Sequence, residues 1–368
     1  MTNVICNSAK QGLIPQRDYF DKDIANSDNT DGYYIIETND FVYNPRKSTD
    51  APYGPISSYK YPEAGIVSPL YLCFRAKQEI NPLYFEWYFR SSAWHRYIYM
   101  SGDSGARHDR VSIKDDTFFA MPINIPSAKE QDRIALFLNA IEQKIDKQRS
   151  LVDALKKYKR GVTRRLFAQE KGSFETNLQI VSLGDLFPFI RNGFVGTVTP
   201  FFTDREHGVR YLQGTNIHAG KITDDTVYYV TKDFNAKHSK NILKRDDILV
   251  VQSGHVGECA VVGKEYEGAN CHALIIMSNG GNCFSDYVAQ YINSEAGNKQ
   301  IASITTGNTI RHILASAIAD MVIPIPSLEE QKRVAYLLSI YDDRIAKEEQ
   351  LLSELEAMRK GLLQQLFI

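Results

Sequence analysis

The chain has 368 residues, 43% hydrophobic and 24% charged, with a formal net charge of −1. That length exceeds one ordinary core and fits two domains, and the balance is that of neither a disordered nor a membrane chain. No apolar run reaches the roughly 18 residues of a membrane span, and the opening MTNVICNSAKQG lacks the basic start and apolar stretch of a secretion signal. The cysteines, Cys6, Cys73, Cys259, Cys271 and Cys283, are odd in number and widely spaced. They read as reduced thiols of a cytoplasmic protein, not as a disulfide framework or a zinc site. Only the stretch 123–171 is basic, so any nucleic-acid contact must be made by local patches.

In chain order, NDFVYN (Asn39–Asn44) reads as a turn entering a strand. NPLYFEWYFRSS (Asn81–Ser92) reads as an amphipathic helix, and SGARHDRVSI (Ser104–Ile113) as a glycine turn with a following arginine. Residues 1–122 thus form a first globular unit. Next comes IPSAKEQDRIALFL, beginning at Ile125. Pro126 cannot sit inside a helix, Ser127 is a natural N-cap, and Glu130 three residues on completes a capping box. A helix of about 40 residues, roughly 60 Å long, follows in the segment 123–171. The second unit, 172–326, opens with Leu178–Gly208, which has no counterpart at the front. The first unit is therefore a shortened version, or the chain begins late. DDILVV (Asp246–Val251), FSDYVAQYINSE (Phe284–Glu295) and TGNTIRHI (Thr306–Ile313) then repeat the three earlier motifs in order. IPSLEEQKRVAYLL, beginning at Ile325, starts a second long helix over 327–368.

Ile123–Ala168 sets over Ile323–Ile368 without a gap. Pro126/Pro326, Glu130/Glu330, Gln131/Gln331, Leu138/Leu338 and Phe167/Phe367 all coincide. The apolar seam steps four and three alternately, as in a coiled coil, with Gln148, Lys159, Glu348 and Arg359 as its polar members. An antiparallel pairing with facing numbers summing to about 507 would set Lys159 on Glu348 and Gln148 on Arg359. A one-heptad slip would leave these groups against apolar residues, at about 1–3 kcal/mol each. The expected fold is therefore α/β (α+β), a pseudo-two-fold tandem of two globular domains separated by two long antiparallel coiled-coil helices. Two similar heads on a helical spacer suit duplex DNA, where related sites recur at fixed helical spacing.

The repeated IPIPSxxEQ, the ending GLLQQLF, and the run LGDLF, YLQGTNIHAGKI and DDILVVQSGHVGECAVV resemble the DNA specificity subunit of type I restriction-modification systems. The resemblance covers essentially the whole chain. It implies a non-catalytic, cytoplasmic DNA-binding subunit whose two target-recognition domains each read one half of a bipartite, asymmetric target. Two methyltransferase (modification) subunits would dock on the helices, and restriction subunits would join them. S-adenosylmethionine, ATP and Mg would sit on those partners, with no cofactor bound by this chain. The alternatives left open are a helical scaffold for protein interaction and a truncated copy that does not assemble.

No motif offers chemistry of its own. NPLY (Asn81–Tyr84) lacks the second proline of a methyltransferase loop and reads as a helix cap, and no GxxxxGK[ST] is present. Ser253 and His255 in QSGHVGE lack an orienting carboxylate, and Asp224-Asp225 and Asp246-Asp247 read as turns. Candidates for DNA contact follow from side-chain chemistry: arginine and amides pair with base edges, lysine and hydroxyls with phosphates. In the first head these are Asn44, Arg46, Lys47, Ser48, Tyr53, Arg107 and Arg110. In the second they are Gln213, Thr215, Asn216, Lys221, Ser253, His255, Asn308, Arg311 and His312.

Overall fold

The computed structural model describes residues 3–19, 30–102, 109–167, 178–307 and 311–367. The chain divides into two compact units, Met1–Ser150 with Glu349–Ile368, and Leu151–Glu348. Both divisions fall inside a long helix, so each unit owns one globular head and part of each long helix.

In the first head a hairpin, β1 (Ile5–Ser8) and β2 (Gly12–Pro15), leads into α1 (Gln16–Tyr19). Five short strands follow: β3 (Tyr34–Ile36), β4 (Phe41–Tyr43), β5 (Ile56–Ser58), β6 (Gly65–Val67) and β7 (Leu72–Phe74). They form an antiparallel sheet ordered β5-β4-β7 and a β3-β6 pair. Helices α2 (Pro82–Arg90), α3 (His95–Ser101) and α4 (Asp115–Phe119) close it over an aromatic core that includes Phe41, Tyr43, Trp87, Trp94 and Phe118. The first long helix is α5 (Ala128–Phe167).

The second head opens with β8 (Gln179–Ser182), α6 (Leu183–Leu186) and β9 (Phe189–Asn192). After these come β10 (Phe202–Thr203), β11 (Gly208–Leu212), the hairpin β12 (Ile217–His218) and β13 (Lys221–Ile222), β14 (Tyr228–Thr231) and α7 (Lys232–Lys237). Then follow β15 (Ile248–Val251), β16 (Cys259–Val261), β17 (Asn270–Cys271), β18 (Leu274–Ser278), α8 (Ser285–Ile292), α9 (Glu295–Ile304), α10 (Ala315–Ala319) and β19 (Val322–Ile325). The second long helix is α11 (Leu328–Leu366). The sheets are ordered β16-β15-β18-β9 and β10-β14-β11-β17, and β19 pairs with β8. No helix among the described residues is long and apolar enough to cross a membrane.

The faint repeat in the heads is a repeat of hydrogen bonds. Asn39 and Asp246 hold positive φ, 73° and 65°, a conformation that Asn and Asp tolerate better than bulkier residues. The next residue caps its own turn: Asp40 accepts the Glu37 N–H at 2.8 Å, and Asp247 accepts the Lys244 N–H at 3.0 Å. The strands that follow, β4 and β15, sit at the centre of equivalent sheets, β5-β4-β7 and β16-β15-β18. The segment Leu178–Gly208 supplies what the second head has in addition. Its β8 pairs with β19, its β9 extends the β18 edge, and Leu183, Leu186 and Phe187 enter the core.

The EQ signature has a direct structural role. Gln131 donates to the Pro126 carbonyl at 2.9 Å and accepts the Asn81 N–H at 3.0 Å. Gln331 donates to the Pro326 carbonyl at 3.0 Å and accepts the Phe284 N–H at 2.8 Å. Each glutamine is buried and clamps the start of its long helix to the start of the preceding short one, α2 or α8. Ser327 Oγ accepts the Glu330 N–H as a helix cap and donates to the Glu330 carboxylate, both at 3.3 Å, and Asn81 accepts from Leu83 and Tyr84 as a helix cap.

The long helices pair antiparallel within each unit. In the first, Ile134 and Leu138 meet Leu362, Leu366 and Phe367, while Glu142 binds Arg359 at 2.6 Å and Arg149 binds Glu356 at 2.8 Å. In the second, Leu166 and Phe167 share a core with Val334, Ala335 and Leu338, and Lys159 binds Asp342. Facing numbers therefore sum to about 501, one heptad from the expected 507. Lys159 meets Asp342 instead of Glu348, and Arg359 meets Glu142 instead of Gln148. Glu348, although buried, pairs with Arg344 one turn away on its own helix. The expected penalty vanishes because long cationic side chains lay their stems on the seam and carry their charge to a flanking carboxylate.

The helix ends fix this register. Phe367 packs on Tyr84 and Tyr88 with ring centroids 5.3 and 5.8 Å apart. Phe167 packs on Tyr287 and Tyr291 at 5.5 and 5.1 Å. A heptad slip would move either ring about 10 Å along the axis and empty its place in the core. We predict that Phe367→Ala destabilises the first unit by about 3–5 kcal/mol and speeds amide exchange in α2, while Phe167→Ala does the same to α8. Hydrogen exchange followed by mass spectrometry checks the segregation; equal loss of protection in both heads would count against it.

Candidate nucleic-acid interface

In each head the loop after the central strand is stitched to the loop that follows the glycine turn. Val111 N–H donates to Pro45 O at 2.8 Å in the first head, and Ile313 N–H to Gln252 O at 3.1 Å in the second. The flanking residues form isolated bridges, Arg46 with Arg110 and Ser253 with His312. Segments about 60 residues apart in sequence are thus brought to one edge, twice, by the same bonds.

In the first head, Arg46, Lys47 and Ser48 are exposed, and Lys47 N–H donates to Asp109 O at 2.9 Å. Asn44 is turned inward: it donates to Asn7 O at 3.2 Å and accepts the Arg46 N–H at 3.1 Å, so it shapes the loop. Gly54, at φ 85°, closes the same turn where a Cβ would strike the Asn44 carbonyl. Tyr53 is half-buried against His95, its ring centroid 4.7 Å away. Beside these residues lies a cleft of about 850 Å³ whose lining includes Lys10, Gln16, Arg46, Lys47, Tyr71 and Arg110. Sequence reasoning missed Lys10 and Gln16, because the β1–β2 hairpin turn and the start of α1 that carry them join the loop only through tertiary packing. The signal was the turn at Lys10-Gln11-Gly12, where Gly12 has φ 72°. Arg107 lies outside the described residues.

In the second head, Thr215, Ser253 and Arg311 are exposed, and His312 is half-buried with its backbone paired twice to Thr306. Gln213 starts a single 3-10 turn, its N–H donating to Asn216 Oδ1 at 2.8 Å. Asn216 does not face solvent. It is 1% exposed and donates to the carbonyls of Thr223 at 3.0 Å and Thr226 at 2.7 Å, holding the β12–β13 hairpin from within. Lys221 is exposed, but its ammonium pairs with Asp343 of α11 at 3.0 Å. His255 turns its Nε2 to the Ile217 carbonyl at 3.1 Å, and no hydrogen bond joins it to Ser253, so the two do not form a nucleophile–base pair. Asn308 lies outside the described residues. Glu258 stands three residues after His255 in QSGHVGE, but His218, at the end of β12, gathers beside them only through the fold, so sequence reasoning missed the group.

The thiols offer no site. Cys271 is fully buried and its thiol is pushed up to about 12 by that burial, while burial lowers the pKa of neighbouring His272. Burial likewise pushes Cys73 and Cys283 to about 11. Protonated, enclosed sulfurs are poor nucleophiles and poor ligands.

Residues 175–357 match the family described as the type I restriction modification DNA specificity domain. Over 266 residues the chain is 24% identical to the type I restriction enzyme MjaVIII specificity subunit of Methanocaldococcus jannaschii, covering 67% of this chain and 61% of that protein. Over 181 residues it is 30% identical to the type I restriction enzyme StySPI specificity subunit of Salmonella potsdam, covering 43% and 37%. The chain thus spans less than two thirds of the length of either relative. In fold it is similar to the type I restriction-modification S subunit from M. genitalium, with a TM-score of 0.55, 14% identity, and coverage of 94% of this chain and 87% of that one. A chain from a structure on assembly and conformational transition of the type I R-M system gives a TM-score of 0.60 at 17% identity, covering 90% and 82%.

The inward position of Asn216 gives a test. We expect Asn216→Ala to cost about 1–3 kcal/mol by leaving two carbonyls and an N–H without partners, and Thr215→Ala to change stability by under about 0.5 kcal/mol. Thermal unfolding distinguishes them; equal, small shifts would return Asn216 to the surface.

Proposed function

Because the chain belongs to the type I restriction-modification DNA specificity family, we propose that it is the non-catalytic, sequence-reading subunit of such a system. Each head reads one half of a bipartite, asymmetric duplex target, and the long helices set the unread spacer. The observation that carries this reading is the doubled loop frame. A turn closed by a buried aspartate, a central strand and one stitching bond are the same in both heads, while the residues held at the edge differ: Pro45-Arg46 in one, Gln252-Ser253 in the other. A constant frame with unlike edges is what two different short words require. Arg46, Lys47 and Arg110 supply base-edge and phosphate donors in the first head, and Ser253, Arg311 and Thr215 in the second.

The long helices also carry an exposed apolar patch at repeat-equivalent positions. Leu136 and Phe137 on α5 are 69% and 50% exposed, and Tyr336 and Leu337 on α11 are 71% and 40% exposed. Such side chains in water mark protein contacts. Two like patches, one in each unit, suit two copies of one partner, the methyltransferase subunit. S-adenosylmethionine, and ATP with Mg on the restriction subunits, then belong to the partners.

Selection of randomised duplexes by the assembled complex should enrich a split motif; a pool with no such motif would overturn the reading. Arg311→Ala should relax one half of the motif by about 1–3 kcal/mol per base contact and leave the other intact, and Arg46→Ala the reverse. On the docking side, Leu136→Asp or Tyr336→Asp alone should lower the bound methyltransferase from two copies to one by native mass spectrometry. Retention of two copies would remove the patch from the interface.

A further inference from the structure

Among the described residues, one group of possible metal ligands is not used by the reading above: His218, His255 and Glu258. His218 ends β12, His255 lies in the loop between β15 and β16, and Glu258 immediately precedes β16. Their ligand atoms all lie within 4.8 Å of one another. His255 Nε2 is 3.6 Å from Glu258 Oε2. Two donors at about 2.0–2.1 Å from one tetrahedral ion stand roughly 3.3–3.4 Å apart, so this pair shares one after closing by a few tenths of an ångström. The two imidazoles stack nearly parallel, 17° apart with centroids at 5.3 Å, and the exposed His218 ring has room to turn its edge to an ion held by the other two.

The carboxylate is already oriented. Ala219 N–H donates to Glu258 Oε1, which leaves Oε2 on the side of His255. Outer bonds of this kind hold a ligand in place before the ion arrives. Without an ion, His255 Nε2–H donates to the Ile217 carbonyl at 3.1 Å, so a cation binds this nitrogen by displacing that proton and taking the place of the hydrogen bond. Both histidines are exposed and Glu258 is half-buried, so an ion reaches the group without opening the core.

We propose that His218, His255 and Glu258 bind one divalent cation of the zinc, cobalt or nickel class. Two imidazoles and one carboxylate favour these ions over magnesium or calcium, which take all-oxygen shells. The ion ties the β12–β13 hairpin to the loop of residues 252–258. Two segments that otherwise meet through the Glu258 bond and the His255–carbonyl contact then become one rigid edge. Metal binding itself does not depend on the DNA-reading proposal.

The test uses the full chain after chelator treatment, titrated with cobalt(II) and zinc(II). Expected are one saturable equivalent, a cobalt spectrum of nitrogen and oxygen donors, and zinc-dependent protection of amides at 217–221 and 252–257. His218→Ala and Glu258→Gln should each weaken binding at least about tenfold, while His207→Ala, on a separate turn, leaves it unchanged. His218 is exposed, so unfolding of the metal-free variant at the wild-type temperature shows that its fold is intact. No saturable equivalent, a thiolate-to-cobalt absorption band, or unchanged affinity in His218→Ala would each overturn the proposal.

Discussion

Phe367 against Tyr84 and Tyr88, and Phe167 against Tyr287 and Tyr291, are the contacts on which the rest of the structure depends. Each ring sits at the end of one long helix and fills the core beside the start of the other. Burying a phenylalanine contributes about 1.5–3 kcal/mol, more than the exposed Arg149–Glu356 pair between the same helices, which is worth about 0–1 kcal/mol. The rings therefore decide the register, and the charges adapt. Lys159 and Arg359 find Asp342 and Glu142 because a long flexible side chain reaches a neighbouring turn, whereas a packed aromatic ring has one place to go.

Gln131 and Gln331 complete the constraint from the other side. A buried amide left without partners costs about 1–3 kcal/mol, so each glutamine holds its proline carbonyl and its short-helix N–H at a fixed distance. The start of the long helix, the start of α2 or α8, and the tyrosines one turn further on are thereby assembled as one piece. The phenylalanine at the end of the opposite helix packs against that surface.

Above that platform the heads share a frame and differ at its edge. The capping aspartate, Asp40 or Asp247, and the central strand are enclosed, so their bonds must be satisfied, and the positive φ of Asn39 or Asp246 before them restricts the turn. Burial raises the pKa of the Asp247 carboxyl even so, and the Lys244 N–H works against that rise. The loops stitched to this frame are solvent-facing and carry no such restriction. Arginine stands where the other head has serine, and the second head adds a hairpin, held by Asn216, that the histidine and glutamate side chains approach. Divergence is confined to places where it costs little stability.

The proline, serine and glutamine at each long-helix start, the alternating seam and the matching tyrosines are local patterns. Their meaning follows from backbone chemistry and helical period, so the two long helices, their antiparallel pairing and the repeat were legible from residues alone. The doubling of Arg46–Arg110 and Ser253–His312 was half legible: both members of each bridge were picked out, but not that they meet. Asn216, Asn44 and Lys221 share their chemistry with surface ligands, and only the finished fold shows the first two bonding inward and the third pairing with α11. The heptad register, the cleft beside Lys10 and the His218–His255–Glu258 group were likewise settled by tertiary structure. Period and capping act within a few residues along the chain, whereas register and convergence depend on which distant surface offers the better place to bury a ring or pair a charge.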